Sequence, residues 1–121
     1  MANLLVADDS HPVRDVLRMI LEKDGHQVIL VKDGIEAREM LQQTSFDLAI
    51  LDISMPRLSG LDLLKEIRMH EGDTYLPVIL ISAHASSQDA INGLQQGADA
   101  YLLKPFHMDE VLNQVRASLR S

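Results

Sequence analysis

The 121-residue chain contains no cysteine, and this absence excludes disulfide bonds, thiolate catalysis and cysteine-ligated metal sites. It is also short of positive charge: 11 lysines and arginines stand against 18 aspartates and glutamates, giving a formal net charge of −7. Such a chain repels phosphate backbones and anionic lipid, so we expect no direct binding to nucleic acid. No apolar run approaches the roughly 20 residues that span a bilayer, and no N-terminal secretory signal is present, so we expect no membrane insertion. These absences predict a small acidic protein of the cytoplasm.

The remaining composition is that of a folded globular domain. Apolar residues make up 46% of the chain and charged residues 24%. A chain of this length buries roughly two thirds of its unfolded surface, so it needs no disulfide or metal for stability. We therefore expect one domain over residues 1–121, with no output domain attached.

Five short apolar runs alternate with segments of helical periodicity. The runs are continuous rather than alternating, as expected of strands that are buried on both faces; they lie at residues 3–7, 28–31, 48–51, 78–81 and 101–103. Between them, apolar residues recur at helical spacing, for example at positions 13, 16, 17, 20 and 21. Five successive β-α units predict an α/β fold, with a parallel sheet covered by helices on both faces.

Polar side chains follow four of these predicted strands. Asp8 and Asp9 follow the first, Asp52 ends the third, Ser82 the fourth and Lys104 the fifth. Singly, such residues are ordinary turn, cap or surface residues, but open α/β sheets bind their ligands at the carboxyl ends of the strands. Three carboxylates in one crevice repel each other and require a counter-cation. The sequence therefore predicts a divalent cation with oxygen ligands at this edge, with Mg2+ the obvious candidate.

The same residue set predicts phosphoryl transfer. With the cation bound, one carboxylate remains as a nucleophile, while the hydroxyl and the ammonium group on neighbouring strands are placed to receive phosphoryl oxygens. Phosphoryl transfer needs mainly positioning and charge neutralisation, and these residues supply both.

Four motifs in order resemble the receiver domain of two-component response regulators, in its CheY-like single-domain form. The motifs lie at residues 6–10, at 51–56 with Gly60, at 81–83 and at 97–106, and the resemblance covers essentially the whole chain. It implies a doubly wound, flavodoxin-like fold: a five-stranded parallel sheet in the order 2-1-3-4-5 with five helices. It also implies a phosphoprotein of a phosphorelay that acts in signal transduction.

The resemblance implies roles for the acidic residues. Asp52 would be the phosphoacceptor, forming a 4-aspartylphosphate with a phosphoryl group from the phosphohistidine of a histidine kinase or a histidine phosphotransfer protein. Asp9, Asp52 and the backbone carbonyl of Ser54 would bind Mg2+, for which Mn2+ can substitute, and Asp8 would hold a metal-bound water.

The resemblance also implies a switch. Lys104 would contact the Asp52 carboxylate and later a phosphoryl oxygen, and Ser82 would move toward the phosphoryl group. Tyr101 would then rotate inward and reshape the surface of the fourth helix, fifth strand and fifth helix, which binds a downstream protein. The Lys104–Pro105 peptide bond is expected to be cis, as in the family.

Two variable positions near the expected phosphoryl group are Ser54 and His84, and in the family these positions tune dephosphorylation. For His84 the alternative is an exposed loop histidine. Ala100 stands where receivers that precede winged-helix domains commonly have an aspartate that joins a dimer salt-bridge network. We therefore expect a monomer, or at most a weak dimer when phosphorylated.

Several functional alternatives stay open within this class. The chain is expected to be no enzyme beyond its own phosphorylation and autodephosphorylation, and to act as a stand-alone regulator, a phosphorelay shuttle or a receiver excised from a larger protein. An aspartate-nucleophile phosphatase of the haloacid-dehalogenase type is disfavoured, because it requires a second acid where Ser54 stands and a cap insertion for which there is no room. A dinucleotide module is disfavoured because residues 8–11 contain no glycine.

Overall fold

The structure is a computed structural model that describes residues 2–70, 75–83 and 87–120. Five strands pair in parallel in the order β2-β1-β3-β4-β5, which confirms the predicted topology. The strands are β1 (Asn3–Ala7), β2 (Gln27–Val31), β3 (Leu48–Asp52), β4 (Val78–Ser82) and β5 (Ala100–Leu103). The helices are α1 (His11–Lys23), α2 (Gly34–Gln43), α3 (Gly60–Met69), α4 (Ser87–Gln95) and α5 (Met108–Arg120).

Local sequence signals determine where the helices begin and end. Ser10 caps α1, where its hydroxyl oxygen accepts a hydrogen bond from the backbone N–H of Val13, and Pro12 occupies the first turn. After α1 the chain reverses at Gly25, whose φ of +93° is readily available only to glycine. Asp33 and Ser59 cap α2 and α3 in the same way as Ser10 caps α1.

The core consists of two apolar clusters, one on each face of the sheet. Helices α1 and α5 cover one face through buried residues such as Leu17 and Val111, and α2 and α3 cover the other through Ala37 and Leu64. All five residues are buried in both β3 and β4, as predicted for central strands. The prediction is wrong for β2 and β5, where burial alternates, because these two strands lie at the edges of the sheet.

Within the described parts of the chain, no helix has the length and apolar character that are needed to cross a bilayer.

Candidate functional site at the carboxyl edge of the sheet

The strand order brings the predicted site residues together at one edge of the sheet. Asp8 follows β1, Asp52 ends the adjacent β3, Ser82 ends β4 and Lys104 follows β5. The register supports this arrangement, since Asp52 lies opposite Ile81 and Ser82 lies opposite Leu103. The crevice beyond these strand ends is the position expected of a ligand site in an open parallel sheet.

Asp8 is the most enclosed acid of the site. Its side chain is fully buried, its Oδ1 accepts a hydrogen bond from the backbone N–H of Ser10 at 2.8 Å, and its Oδ2 lies 2.8 Å from Lys104 Nζ. The neighbouring Asp9 is exposed. Carboxylate oxygens of Asp8, Asp9 and Asp52 lie within 4.8 Å of one another, as predicted from their positions at the strand ends.

Asp52 carries the strongest electrostatic perturbation in the site. Its side chain is 4% exposed; its Oδ1 accepts a hydrogen bond from the Ser54 N–H at 3.1 Å, and its Oδ2 lies 3.2 Å from Lys104 Nζ. Burial and the negative charge of Asp8 raise the pKa of Asp52 from 3.8 to about 6, although Lys104 and the Ser54 N–H act in the opposite direction. The pocket therefore favours a further positive charge beside this carboxylate.

Lys104 is the cation that holds the two buried acids together. Burial alone would lower the pKa of its ammonium group, but the hydrogen bond to Asp8 and the charges of Asp52 and Asp8 outweigh it, so the pKa is raised and the group stays charged. The Lys104–Pro105 peptide bond is cis, as expected. One ammonium group faces three carboxylates, so the site keeps an excess of negative charge.

The donor set fits a hard divalent cation. Mg2+ and Mn2+ prefer carboxylate oxygens, and three such side chains converge here without any nitrogen or sulfur ligand among them. The fully buried Asp8 and the raised pKa of Asp52 are what an unneutralised acidic pocket shows. The backbone carbonyl of Ser54 remains a predicted ligand, because only the N–H of that residue is shown to contact the acidic cluster.

The loop after Asp52 is held close to the site by Gly60. The Gly60 N–H donates to the Ile53 carbonyl at 3.0 Å, and a Cβ atom at Gly60 would collide with the backbone carbonyl of Asp52. Helix α3 can therefore begin directly beside the end of β3 only because this residue has no side chain. The close approach explains why glycine stands at this point of the motif.

The predicted switch residues lie on β4 and β5. Ser82 is buried at the carboxyl end of β4, where its carbonyl accepts a hydrogen bond from the Lys104 N–H at 2.8 Å. Tyr101 packs against the core cluster that α2 and α3 cover, and its hydroxyl oxygen is buried without a hydrogen-bond partner among the described residues. The tyrosine ring therefore already points inward in this structure. His84 lies outside the described residues.

Sequence reasoning missed two arginine contacts, a hydrogen bond to a backbone carbonyl and an ion pair. Arg14 Nη1 donates to the backbone carbonyl of Asp8 at 2.7 Å, and Arg57 Nε lies 3.6 Å from the buried carboxylate of Asp33. The spacing of Asp33 and Glu36 indicates a helix N-cap, but it contains no signal for an arginine from a distant loop.

A groove of about 540 Å3 lies at the opposite edge of the sheet and contributes nothing to the acidic site. It is formed by α2, α3 and the segments that precede β3 and β4, with Arg38, Phe46, Glu66 and Leu76 among its lining residues. Volume alone therefore does not identify the functional site of this protein.

The chain resembles known proteins over nearly its full length. Residues 4–116 match the family model of the response regulator receiver domain. Response regulator MprA of Mycobacterium leprae is 41% identical over 117 residues, which are 97% of this chain and 50% of that protein. The chain thus spans about half the length of the curated relatives it matches.

Solved structures lead to the same family. The receiver domain of the Francisella response regulator 1452 has a TM-score of 0.91 at 34% identity, covering 99% of this chain and 98% of that one. The chemotaxis response regulator CheY4 of Vibrio cholerae has a TM-score of 0.90 at 30% identity, covering 98% of both chains. With its parallel sheet in the order 2-1-3-4-5 and its acidic cluster at the carboxyl edge, the chain belongs to the response regulator receiver domains of two-component systems.

Proposed function

We propose that the chain is a phosphorylation-controlled switch that accepts a phosphoryl group on Asp52, with Mg2+ bound by Asp9, Asp52 and the backbone carbonyl of Ser54. The observation that carries this proposal is the Asp52 carboxylate, which is buried at a strand end between a second acid and an ammonium group. The donor is the phosphohistidine of a histidine kinase or a histidine phosphotransfer protein. An Asp52 carboxylate oxygen forms a bond to phosphorus, the phosphorus–nitrogen bond breaks, and the released imidazole takes up a proton.

Each contact around Asp52 supplies a part of this chemistry. Asp9, Asp52 and the Ser54 carbonyl would hold Mg2+, and Asp8 would hold a water bound to it; the cation would supply charge neutralisation for the phosphoryl oxygens. Lys104 orients the Asp52 carboxylate at 3.2 Å and follows the transferred group as a counter-charge. Ser82, which ends the neighbouring strand β4, would donate its hydroxyl to a phosphoryl oxygen. Ser54 and His84 are the residues that would tune the attack of water on the acyl phosphate.

The output is a change in the surface formed by α4, β5 and α5. Phosphorylation replaces one carboxylate charge by nearly two phosphoryl charges, and Ser82 and Lys104 respond to that change. Tyr101 lies on β5 between the site and this surface, so its inward position is the conformation that we assign to the activated state. The partner is a downstream protein; a stand-alone regulator, a relay shuttle and one part of a longer regulator all use the same switch.

The test is phosphorylation by a small donor. With Mg2+ and acetyl phosphate, the protein should gain one phosphoryl group by intact mass and consume about one equivalent of donor before turnover slows to autodephosphorylation. The Asp52→Asn variant and a chelator are the matched controls, and both should abolish the gain. No Mg2+-dependent mass change in the wild type would refute the proposal, whereas sustained hydrolysis of free phosphate esters would favour the haloacid-dehalogenase type of phosphatase.

A further inference from the structure

Arg14 makes an unusual contact beside the acidic cluster. It lies in the first turn of α1, half-buried, and its Nη1 donates to the backbone carbonyl of Asp8 at 2.7 Å. Among the described residues its side chain forms no ion pair and no other hydrogen bond. The guanidinium group therefore donates to the neutral backbone carbonyl of a residue whose own carboxylate belongs to the acidic cluster.

The hydrogen bond from Arg14 is important because of where the Asp8 carbonyl lies. Strand β1 ends at Ala7, and the last backbone hydrogen bond to β2 runs from the Asp8 N–H to the Val31 carbonyl. The Asp8 carbonyl lies beyond the paired part of the strand, and it belongs to the same planar peptide unit as the N–H of Asp9. A group that fixes this oxygen fixes the orientation of the peptide between the two aspartates that face Asp52.

We propose that Arg14 is a positioning residue for the metal pocket: it holds the Asp8–Asp9 peptide and thereby increases the affinity for Mg2+. The inference rests on the proposed function, which places Mg2+ in this pocket. Residues that orient metal ligands without contacting the metal typically change metal affinity by about 10- to 100-fold when they are replaced. Arg14 holds the backbone rather than a ligand atom, so the expected effect is at the lower end of that range.

Charge and positioning predict opposite signs for the loss of Arg14. A guanidinium group beside the pocket repels a divalent cation, so on charge alone its removal should tighten Mg2+ binding. If the contact with the Asp8 carbonyl dominates, its removal should weaken Mg2+ binding. The sign of the change in affinity therefore separates the two roles.

The experiment is calorimetric titration of the unphosphorylated protein with MgCl2. Arg14→Met should bind Mg2+ about tenfold more weakly than wild type, and Arg14→Lys, which keeps one donor, should recover most of the affinity. Arg18→Met is the matched control: Arg18 lies in the same helix with its side chain 49% exposed and pairs at 3.8 Å with Asp15, so its loss removes the same charge without touching Asp8. Thermal unfolding by circular dichroism checks that each variant is folded at the titration temperature, and Arg14→Gln serves as a second neutral variant.

The outcomes separate this inference from the proposed function. Unchanged or tighter Mg2+ binding by Arg14→Met and Arg14→Gln, with wild type binding normally, would overturn the positioning role and leave the proposed function intact. A wild-type protein that binds no Mg2+ would overturn both. An equal loss in Arg18→Met would show that the weakening follows from altering α1 in general and not from the Asp8 carbonyl contact, and it would also overturn the positioning role.

Discussion

Replacing Asp52 with asparagine should stabilise the metal-free protein at neutral pH, although the change removes the proposed phosphoacceptor. The Asp52 carboxylate is buried beside the charge of Asp8, and the single ammonium group of Lys104 does not offset both costs. Asparagine has nearly the same shape, keeps an oxygen to accept the Ser54 N–H, and carries no charge. The substitution therefore removes the electrostatic penalty while it retains the packing.

The magnitude follows from the raised pKa. A pKa increase of one corresponds to about 1.4 kcal/mol, so the increase from 3.8 to about 6 costs the ionised native state about 3 kcal/mol. The penalty is absent at pH values below the pKa of the unfolded chain, 3.8, because the Asp52 carboxyl is then protonated in both states. It grows as the pH rises from 3.8 to about 6 and is complete above the pKa of the folded protein. We expect a gain of about 3 kcal/mol for Asp52→Asn at neutral pH, because this pKa shift already includes the opposing effects of Lys104 and the Ser54 N–H.

Urea unfolding followed by circular dichroism measures this gain. With a chelator present, the difference in unfolding free energy between Asp52→Asn and wild type should fall from about 3 kcal/mol at neutral pH to less than about 1 kcal/mol at about pH 4. Added Mg2+ should stabilise the wild type and reduce the difference. The matched control is Asp109→Asn, which removes an exposed charge from the first turn of α5 and should lower stability slightly, through the helix dipole.

Two results would refute the reasoning. If Asp52→Asn is no more stable than wild type at neutral pH, burial of the carboxylate carries no net cost in this pocket. If the variant is more stable by an amount that does not change with pH, the gain comes from packing and not from the titration of Asp52.

Two further substitutions test the neighbouring contacts. Lys104→Met leaves Asp8 and Asp52 without their shared cation, so it should lower the unfolding free energy by about 3 kcal/mol in the presence of chelator. It should also raise the pKa of Asp52 above about 6. An unchanged Asp52 pKa in a carbon-13 NMR titration would contradict this reasoning. Gly93→Ala places a Cβ atom 2.6 Å from Leu80 Cδ1, so we expect a net loss of about 1 kcal/mol in urea unfolding despite the better helix propensity of alanine, and a gain in stability would contradict the steric reasoning.

Much of the site could be predicted because its residues stand at the ends of apolar runs in the sequence. Asp8, Asp52, Ser82 and Lys104 each follow a strand, and the carboxyl ends of parallel strands meet at one edge whatever the details of packing. The strand order itself came from the motif resemblance and not from periodicity. Periodicity also failed to predict the partial exposure of β2, because an apolar run of four residues has the same pattern in an edge strand as in a central strand.

Contacts that depend on loop geometry could not be predicted. Arg14 reads as an ordinary charged residue of an amphipathic helix, and its contact with the Asp8 carbonyl exists only because the loop between β1 and α1 turns back over the strand end. The inward position of Tyr101 likewise depends on its packing against the core cluster that α2 and α3 cover, and no spacing in the sequence encodes it. In both cases the deciding interaction joins parts of the chain whose relative orientation the sequence pattern leaves open.

If Asp52 is phosphorylated as proposed, the cost of burying this residue would also explain how a small covalent change at the site alters a distant surface. A carboxylate that already destabilises the fold becomes, after phosphorylation, a group of nearly two negative charges in the same enclosed position. In the proposed function the fold would accommodate it through movement of cations and hydrogen-bond donors toward it, and Lys104 and Ser82 are the groups at the adjoining strand ends to which we assign this role. Because Lys104 follows β5 directly and Tyr101 lies within that strand, a movement of Lys104 would displace the backbone of β5. The electrostatic penalty at Asp52 thus couples the proposed chemistry to the α4, β5 and α5 surface, and the unusual stability expected of Asp52→Asn measures that penalty directly.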